Sequence, residues 1–394
     1  MQRAGGRHEA MQAASSVVPA PNPTEDHLLS DDIKFIQPAI DHALDKIRQQ
    51  LRRSPDFPHI TSGGKWVYTT DGVWTGGFWA GSLWLAYAES ADAEFRRAAE
   101  AFSGKLLARA HDERNHDLGF MFYPSAIHAH RIAPNPAYVQ ASVEAARSLA
   151  RQFNPVGNFI PGWGFFGGKE WSGSSLVDTL MNLPLLVWAS RNGGEDHLFD
   201  VAMRHAATSI RHHQRANGSV YHVFHFDEHT GEPLQGGTYQ GLAAESSWSR
   251  GQAWALTGLS LLAGMTGRAQ FLDAAARVAS FLEPHLQGAP VPPWDYDVSD
   301  PAAPRDSSAG AITAFGLIRL ARISGNPRHA VLARSVLQAL TSRCLAPPDQ
   351  DSILAHATAD LPHGLGIDES TAYGDYYFLK ALIALRDSAR PARA

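Results

Sequence analysis

The sequence predicts an all-α protein, an (α/α)6 barrel with short β-hairpin insertions in its loops. Two observations predict it. One alternation recurs six times: a helix pattern apolar on one face, a loop rich in Gly, Trp, His and Asp, then a helix pattern apolar on most sides. The second member of each pair also lacks a polar stripe, so it is stable only when covered all round. Six pairs around a ring give two concentric layers, greasy helices inside and amphipathic helices outside. Closure gathers the loops before the inner helices at one mouth, the place where function collects. An open helical solenoid is the competing arrangement, but its terminal repeats need a polar outer face that neither the first nor the last pair has.

The elements follow in order. Ile36, Ile40, Leu44, Ile47 and Leu51 share one helix face. The loop GGKWVYTTDGVWTGG then leads into FWAGSLWLAYAES. Phe95, Ala99, Phe102 and Leu106 mark the second amphipathic helix, followed by the loop HDERNHD and by LGFMFYPSAIHAH. Val139, Val143, Ala146, Leu149 and Phe153 mark the third, with Pro134 and Pro136 at its start. The loop GNFIPGWGFFGGKEWSG opens SSLVDTLMNLPLLVWAS, Ser174 to Ser190, where nearly everything after Asp178 is apolar. Pro184 belongs in the first turn of that helix or kinks it. A carboxylate at its mouth is costly unless paired, hydrogen-bonded or protonated, although Asp also makes a good N-cap. Phe199, Met203, Ala206 and Ile210 mark the fourth amphipathic helix, whose terminal His212 and His213 read as solvated. SVYHVFHF, the turn DEHTGEP and LQGGTYQG read as a hairpin before SRGQAWALTGLSLLAGM. Phe271, Ala275, Val278 and Leu282 precede SSAGAITAFGLIRLARI; Leu332, Val336 and Leu340 precede YYFLKALIAL.

With 394 residues, 44% of them hydrophobic, the chain is long enough for one large core, and we read residues 31–394 as a single catalytic domain behind a disordered tail, residues 1–30. A net charge of −5 with well-mixed signs excludes a nucleic-acid or anionic-membrane partner as the expectation. The N-terminal residues lack the apolar run of a secretion signal, and the lone Cys344 fits a reducing compartment, so the expected location is cytoplasmic.

The predicted mouth collects Trp74, His116, Asp117, Trp163, Asp178, Gln240, Arg250, Trp254, Asp306 and Asp375. Asp117 and Asp178 come from successive loops, and a carboxyl pair, one ionised and one protonated, is the recurring equipment for cleaving glycosidic bonds. Tryptophans offer flat faces to sugar rings; Arg250 offers a fork for an anion or for a structural Asp. Asp117 and Asp375 equally suit helix caps. Trp79, Trp84 and Trp188 fall inside greasy helices and read as core. His222, His225, Asp227 and His229 superficially outline a metal site, but strand alternation sends His222 and His225 to opposite faces and no HExxH pattern is present.

Taken together, HDLGF at His116–Phe120, LVDTLMNLPLL at Leu176–Leu186, GGTYQG at Gly236–Gly241, WSRGQAW at Trp248–Trp254, RDSSAGAIT at Arg305–Thr313 and GDYYFLKAL at Gly374–Leu382 resemble the unsaturated glucuronyl hydrolases, glycoside hydrolase family 88, as does WTGGFWAGSLWLAY at Trp74–Tyr87. The resemblance implies an (α/α)6 barrel. It implies hydration of the C4=C5 double bond of the non-reducing unsaturated uronate that polysaccharide lyases leave, with release of a 5-keto-4-deoxyuronate and the remaining sugar. It implies no metal and no organic cofactor. By the same resemblance Asp178 is the general acid/base and Asp117 the second carboxylate, while Trp74, His116, Trp163, His222, Gln240, Arg250 and Trp254 line the substrate pocket, with Arg250 and His116 as candidates for the substrate's negative charge. The expected partner is an unsaturated uronate-terminated oligosaccharide of glycosaminoglycan type. GIDEST, Gly366–Thr371, falls where the family varies in accepting sulfated sugars, and it lacks a basic cluster here. Alternatives are an unsaturated rhamnogalacturonyl hydrolase, or a non-catalytic sugar-binding protein on the same barrel.

Overall fold

The structure, a computed structural model, describes residues 33–164, 167–168 and 171–389. The expected tail at residues 1–30 lies outside them. From Phe35 onward the described chain clusters as one unit.

Outer helices alternate with inner ones. The outer set is α1 (Ile36–Leu51), α3 (Ala93–Leu107), α6 (Pro136–Arg151), α8 (Asp196–His212), α10 (Ala269–Gly288) and α12 (Pro327–Arg343). The inner set is α2 (Gly76–Ser90), α4 (Leu118–Phe122) with α5 (His128–Ile132), α7 (Leu183–Ser190), α9 (Ser249–Thr266), α11 (Ser307–Ser324) and α13 (Ala372–Ala389). A π-helical turn, Tyr123–Ile127, joins α4 to α5 and contains Pro124, which has no N–H to give the α-helical ladder. Neighbouring inner helices pack in sequence around the ring, and α13 returns to pack on α2 and α1. At its far end the Arg386 guanidinium pairs with Glu89 at the end of α2.

The inner ring is tight because glycine stands at each seam. A Cβ on Gly77 of α2 would lie 2.3 Å from the Phe120 carbonyl oxygen of α4. One on Gly119 of α4 would lie 2.3 Å from the Asn182 Cα, just before α7. One on Gly258 of α9 would meet Leu180 at 2.8 Å, and one on Gly316 of α11 would meet the Thr257 hydroxyl of α9 at 2.6 Å. Gly374 of α13 backs onto Ser308 of α11 at 2.9 Å, and Gly81 of α2 onto the Tyr376 ring of α13 at 2.7 Å, closing the circle. Real Cβ atoms do not tolerate such distances, so the backbones approach only because no side chain stands between them.

On the side away from the mouth, consecutive helices are joined tightly. Gly267 and Gly325 end α9 and α11 in the left-handed conformation that glycine adopts without strain. Asn326 then caps α12, whose first residue is Pro327, and Asn135 caps α6 ahead of Pro136.

On the mouth side, β1 (Phe57–Ser62) and β2 (Lys65–Thr69) form a hairpin that the sequence did not single out. It is stitched to the last loop: the Thr61 N–H donates to the Ser370 carbonyl, 3.0 Å, and Glu369 accepts from the Thr61 hydroxyl and the Gly63 N–H, both 2.6 Å. The expected later hairpin is present as β4 (Val223–Phe226) and β5 (Pro233–Gly237). It is extended by β3 (Ser174–Leu176), antiparallel to β4 with Ser174 opposite His225.

That third strand corrects one expectation. Ser174–Ser190 is a short strand, then a 3-10 turn, Val177–Met181, and only then α7 with Pro184 in its first turn. Asp178 therefore sits in the turn and caps no helix. A second correction concerns His213, which is buried: its Nδ1 donates to the Tyr221 carbonyl at 3.0 Å and its Nε2 accepts from the Ser175 hydroxyl at 3.2 Å, backing β3. Trp79, Trp84 and Trp188 are core, as expected.

Candidate active site

The N-terminal ends of the inner helices and the loops before them surround a cavity of about 500 Å³. Trp74, His116, Asp117, Trp163, Asp178, Gln240 and Arg250 wall it, seven residues drawn from four loops and the first turn of α9. Arg109, Arg114, Asn115, Tyr239 and Asp360 also line it.

Asp117 stands at the N-cap position just before α4, but its side chain makes no cap hydrogen bond. Its Oδ1 accepts from the Asn182 side-chain amide at 3.2 Å and faces His116 Nε2 at 3.3 Å. His116 Nδ1 accepts the Trp163 backbone N–H at 3.2 Å, so the neutral ring carries its hydrogen on Nε2, toward Asp117. Asn182 is the clasp of the site. It donates to Asp117 while its Oδ1 accepts the Phe120 N–H at 2.8 Å, and Gly119 lies against its backbone. The loop carrying Asp117 is thus fastened to the segment carrying Asp178. Burial holds the Asp117 carboxyl above the usual carboxylate value, with His116 and Asn182 opposing.

Asp178 is buried too, but lacks such side-chain donors. Burial and then the charge of Asp117 push its carboxyl up to about 7, with Arg250 opposing. Its Oδ2 has no hydrogen-bond partner; His222 Nε2 faces it at 3.6 Å. Two carboxyls share one cavity and burial raises both, but Asp117 has side-chain donors on it while Asp178 Oδ2 has none. Such a pair divides into an ion and an acid near neutral pH.

Arg250 is on the wall but already occupied. One Nη donates to Asp306 at 2.8 Å and to the Thr358 carbonyl at 2.7 Å, and the other donates to the Ala359 carbonyl. The guanidinium lies over Trp248, 4.5 Å from its centroid, and 5.3 Å from that of Tyr373. Asp306 also caps α11 through the Ser308 and Ala309 N–H groups. Arg250 therefore pins the loop before α13 onto the start of α11, and the fork expected to grip the substrate's charge is engaged by the fold. Gln240 reinforces this by donating to the same Ala359 carbonyl at 3.0 Å.

The tryptophans divide. Trp163, held at a φ of +57°, is 40% exposed and lies among Trp171 and Tyr239 at the rim. Trp74 stacks on Tyr373, centroids 5.2 Å apart, and presents its remaining surface to the cavity. Trp254 does not reach it. Only 1% exposed, it lies beneath Phe120, centroids 4.8 Å apart, as part of the floor's support, because its place in the first turns of α9 points it along the inner ring. His222 is likewise a layer behind the wall. Asp375 caps nothing: buried, it accepts the Ile353 and Leu354 N–H groups at 2.9 Å. The metal-like histidines separate too, His225 turning to the Ser174 hydroxyl at 2.9 Å. Among the described residues no group of three or more His, Cys, Asp or Glu is arranged to hold a metal ion, and no helix is long and apolar enough to cross a membrane.

Sequence reasoning missed Asn182, Tyr239, Asp360, Arg109 and Arg114. For Asn182 the signal was present: a lone amide in an otherwise apolar run, four residues after Asp178.

The model of Glycosyl Hydrolase Family 88 matches residues 45–273. An unsaturated glucuronyl hydrolase from Bacillus sp. GL1 is 34% identical over 362 residues, covering 89% of this chain and 96% of the relative. An unsaturated chondroitin disaccharide hydrolase from Streptococcus pyogenes is 31% identical over 375 residues, covering 91% and 92%. The crystal structure of the Bacillus sp. GL1 enzyme, responsible for the degradation of glycosaminoglycan, superposes with a TM-score of 0.86 at 32% identity, covering 90% of this chain and 97% of that one. A closed ring of six helix pairs, two unequal carboxyls at its mouth and this likeness over nearly the whole chain place the protein in glycosyl hydrolase family 88.

Proposed function

We propose that the protein is an unsaturated glucuronyl hydrolase. It hydrates the C4=C5 double bond of a non-reducing Δ4,5-unsaturated uronate at the end of a lyase-made oligosaccharide of glycosaminoglycan type. The observation that carries the reading is the Asp178 carboxyl, pushed up to about 7 and opening onto the cavity beside Asp117.

The double bond is a vinyl ether, and its electron-rich carbon is C4. Asp178, protonated, gives its proton to C4; the π electrons form the new C–H bond, and the positive charge left at C5 is shared by the ring oxygen. Water adds to C5 and loses a proton to the Asp178 carboxylate, which restores the acid. The hemiketal opens to a ketone at C5, and the hemiacetal left at C1 expels the neighbouring sugar. Asp117, supplied with donors, stays ionised. It favours the developing cation and holds Asp178 in its proton-bearing form. Trp74 and Trp163 offer ring faces to the sugar. Arg250 supplies a positive field for the uronate carboxylate even though its N–H groups are engaged. The buried lone thiol of Cys344 supports a reducing, cytoplasmic location, which cell fractionation tests.

The test follows the ultraviolet absorbance of the conjugated double bond in disaccharides made by lyases from hyaluronan, chondroitin and heparin, with a pectin-derived product as the competing arm. Loss of absorbance on the glycosaminoglycan products, falling off as pH rises through about 7, is the expected result. Asp178→Asn should keep binding and lose at least 100-fold in turnover. An Asn variant with full activity refutes the assignment.

A further inference from the structure

His222 sits just before β4, 3% exposed, behind the cavity wall. Its Nδ1 is met by the backbone N–H groups of Tyr239 at 3.2 Å and Gln240 at 3.3 Å, with the Thr238 hydroxyl at 3.4 Å. A backbone N–H only donates. Two of them converging on one ring nitrogen leave that nitrogen bare, so the neutral imidazole carries its hydrogen on Nε2. The cationic ring is shut out. Its extra hydrogen would point at those N–H groups, and burial and Arg250 oppose the charge. Trp248 lies 4.3 Å from the ring and Trp163 meets it edge-on at 5.8 Å, which fixes the orientation.

The hydrogen on Nε2 faces Asp178 Oδ2 at 3.6 Å, and neither atom has another partner. Oδ2 is shielded, yet the Asp178 side chain keeps 15% of its exposure. Oδ1 is thus the oxygen on the cavity side. An oxygen that faces an N–H serves as an acceptor, so the acidic proton belongs on the other one.

We propose that His222 is a positioning residue: it presents Nε2–H to Asp178 Oδ2, keeps the acidic proton on Oδ1 where the sugar double bond meets it, and stabilises by hydrogen bonding the negative charge that stays on Asp178 when that proton departs. This rests on the reading of Asp178 as proton donor. In the step, the Oδ1–H bond breaks and the hydrogen bonds to C4 with the π electrons. The O–H electron pair stays on the carboxylate, and the 3.6 Å contact tightens into a charge-assisted hydrogen bond. When water adds, its proton goes to Oδ1 and the contact relaxes. The other groups facing Asp178 are Asp117, Arg250 and Tyr373. Those facing His222 are Arg250 and His213, the latter neutral in its buried hydrogen bonds.

The experiment measures kcat and KM against pH on a lyase-made disaccharide for the wild type, His222→Leu and His222→Gln. Gln offers an amide donor near the imidazole Nε2 position. His222→Leu should lower kcat roughly 10- to 100-fold with little change in KM. It should also move the basic limb to higher pH by about one unit, because losing the donor disfavours the Asp178 anion. His222→Gln should recover most of the rate and bring the limb back. A Leu variant with the wild-type limb, or a Gln variant no better than Leu, overturns the proposal. Should the Leu variant fail to fold, 15N shifts of the histidine-labelled wild type decide, with the His222 signals assigned by their loss in His222→Gln. Protonation on Nε2 is expected, and protonation on Nδ1 overturns the proposal. A wild type that leaves the absorbance untouched defeats the enzyme reading instead, while the nitrogen shifts still report on His222.

Discussion

Asp178 weakens the fold that holds it. Its carboxyl is pushed up to about 7, far above the usual carboxylate value, by burial first and Asp117 second. The folded protein therefore binds a proton that the unfolded chain has released. The penalty is absent below about pH 4, grows as pH rises, and is complete above about 7. Asp178→Asn removes it. The variant should unfold at a higher temperature than the wild type at pH 8, with a smaller gain at pH 5 and none near pH 4, read by calorimetry. A gain equal at all three would place the cause in packing instead. Asn182 works the other way. Asn182→Leu strips Asp117 of its amide donor and leaves the Phe120 N–H without an acceptor. We expect a loss of about 1–3 kcal/mol in unfolding free energy and a clear drop in kcat, checked by urea titration and the absorbance assay. At this scale Asp178 was legible because a charged group at the head of an apolar run demands a reason, and Asp117 because it ends a polar loop that opens the next helix. Arg250 was placed at the cavity correctly, but which of its two readings its N–H groups follow was not legible, because its partners Asp306, Thr358 and Ala359 are distant in sequence. Trp254 was misjudged because the direction of a side chain in a first helical turn depends on where the helix points.

Between elements, the glycines of the inner ring decide which changes the fold tolerates. Gly77→Ala must drive a methyl into the Phe120 and Met121 carbonyls, 2.3 and 2.4 Å away, across the α2–α4 seam. The expected cost is about 1–3 kcal/mol, with a loss of activity because α4 carries Asp117 at its start. Gly104→Ala, on the exposed face of outer α3 with open space around it, should stabilise by up to about 1 kcal/mol. The pair, measured in one denaturation series, separates close approach from mere helix propensity. Helix existence was legible from periodicity. Boundaries near the site were less so: Ser174–Leu176 reads as the start of a greasy helix until β4 claims it as a ladder partner, 47 to 51 residues away by register. His213 was read as solvated because its helix is polar there, whereas the covering strand arrives from another part of the chain.

For the whole molecule, the six-fold rhythm was the most readable feature, since helices without a polar side have nowhere to go but inward. Closure was inferred from what the terminal pairs lack, and the structure supplies the mechanism: α13 on α2, Arg386 on Glu89, and the β1–β2 hairpin sewn to the loop before α13. That sealed circle has a consequence for how the polypeptide may be written. The first outer helix starts, and the last inner helix finishes, on the face away from the cavity, so a linker from residue 389 to residue 35 need not cross the mouth. New termini opened at the exposed bend around Gly193, between α7 and α8, would cut no seam. Such a circular permutant should keep the far-ultraviolet dichroism and the disaccharide turnover of the parent. A permutant that stays unfolded would mean the circle depends on the order in which its pairs are strung.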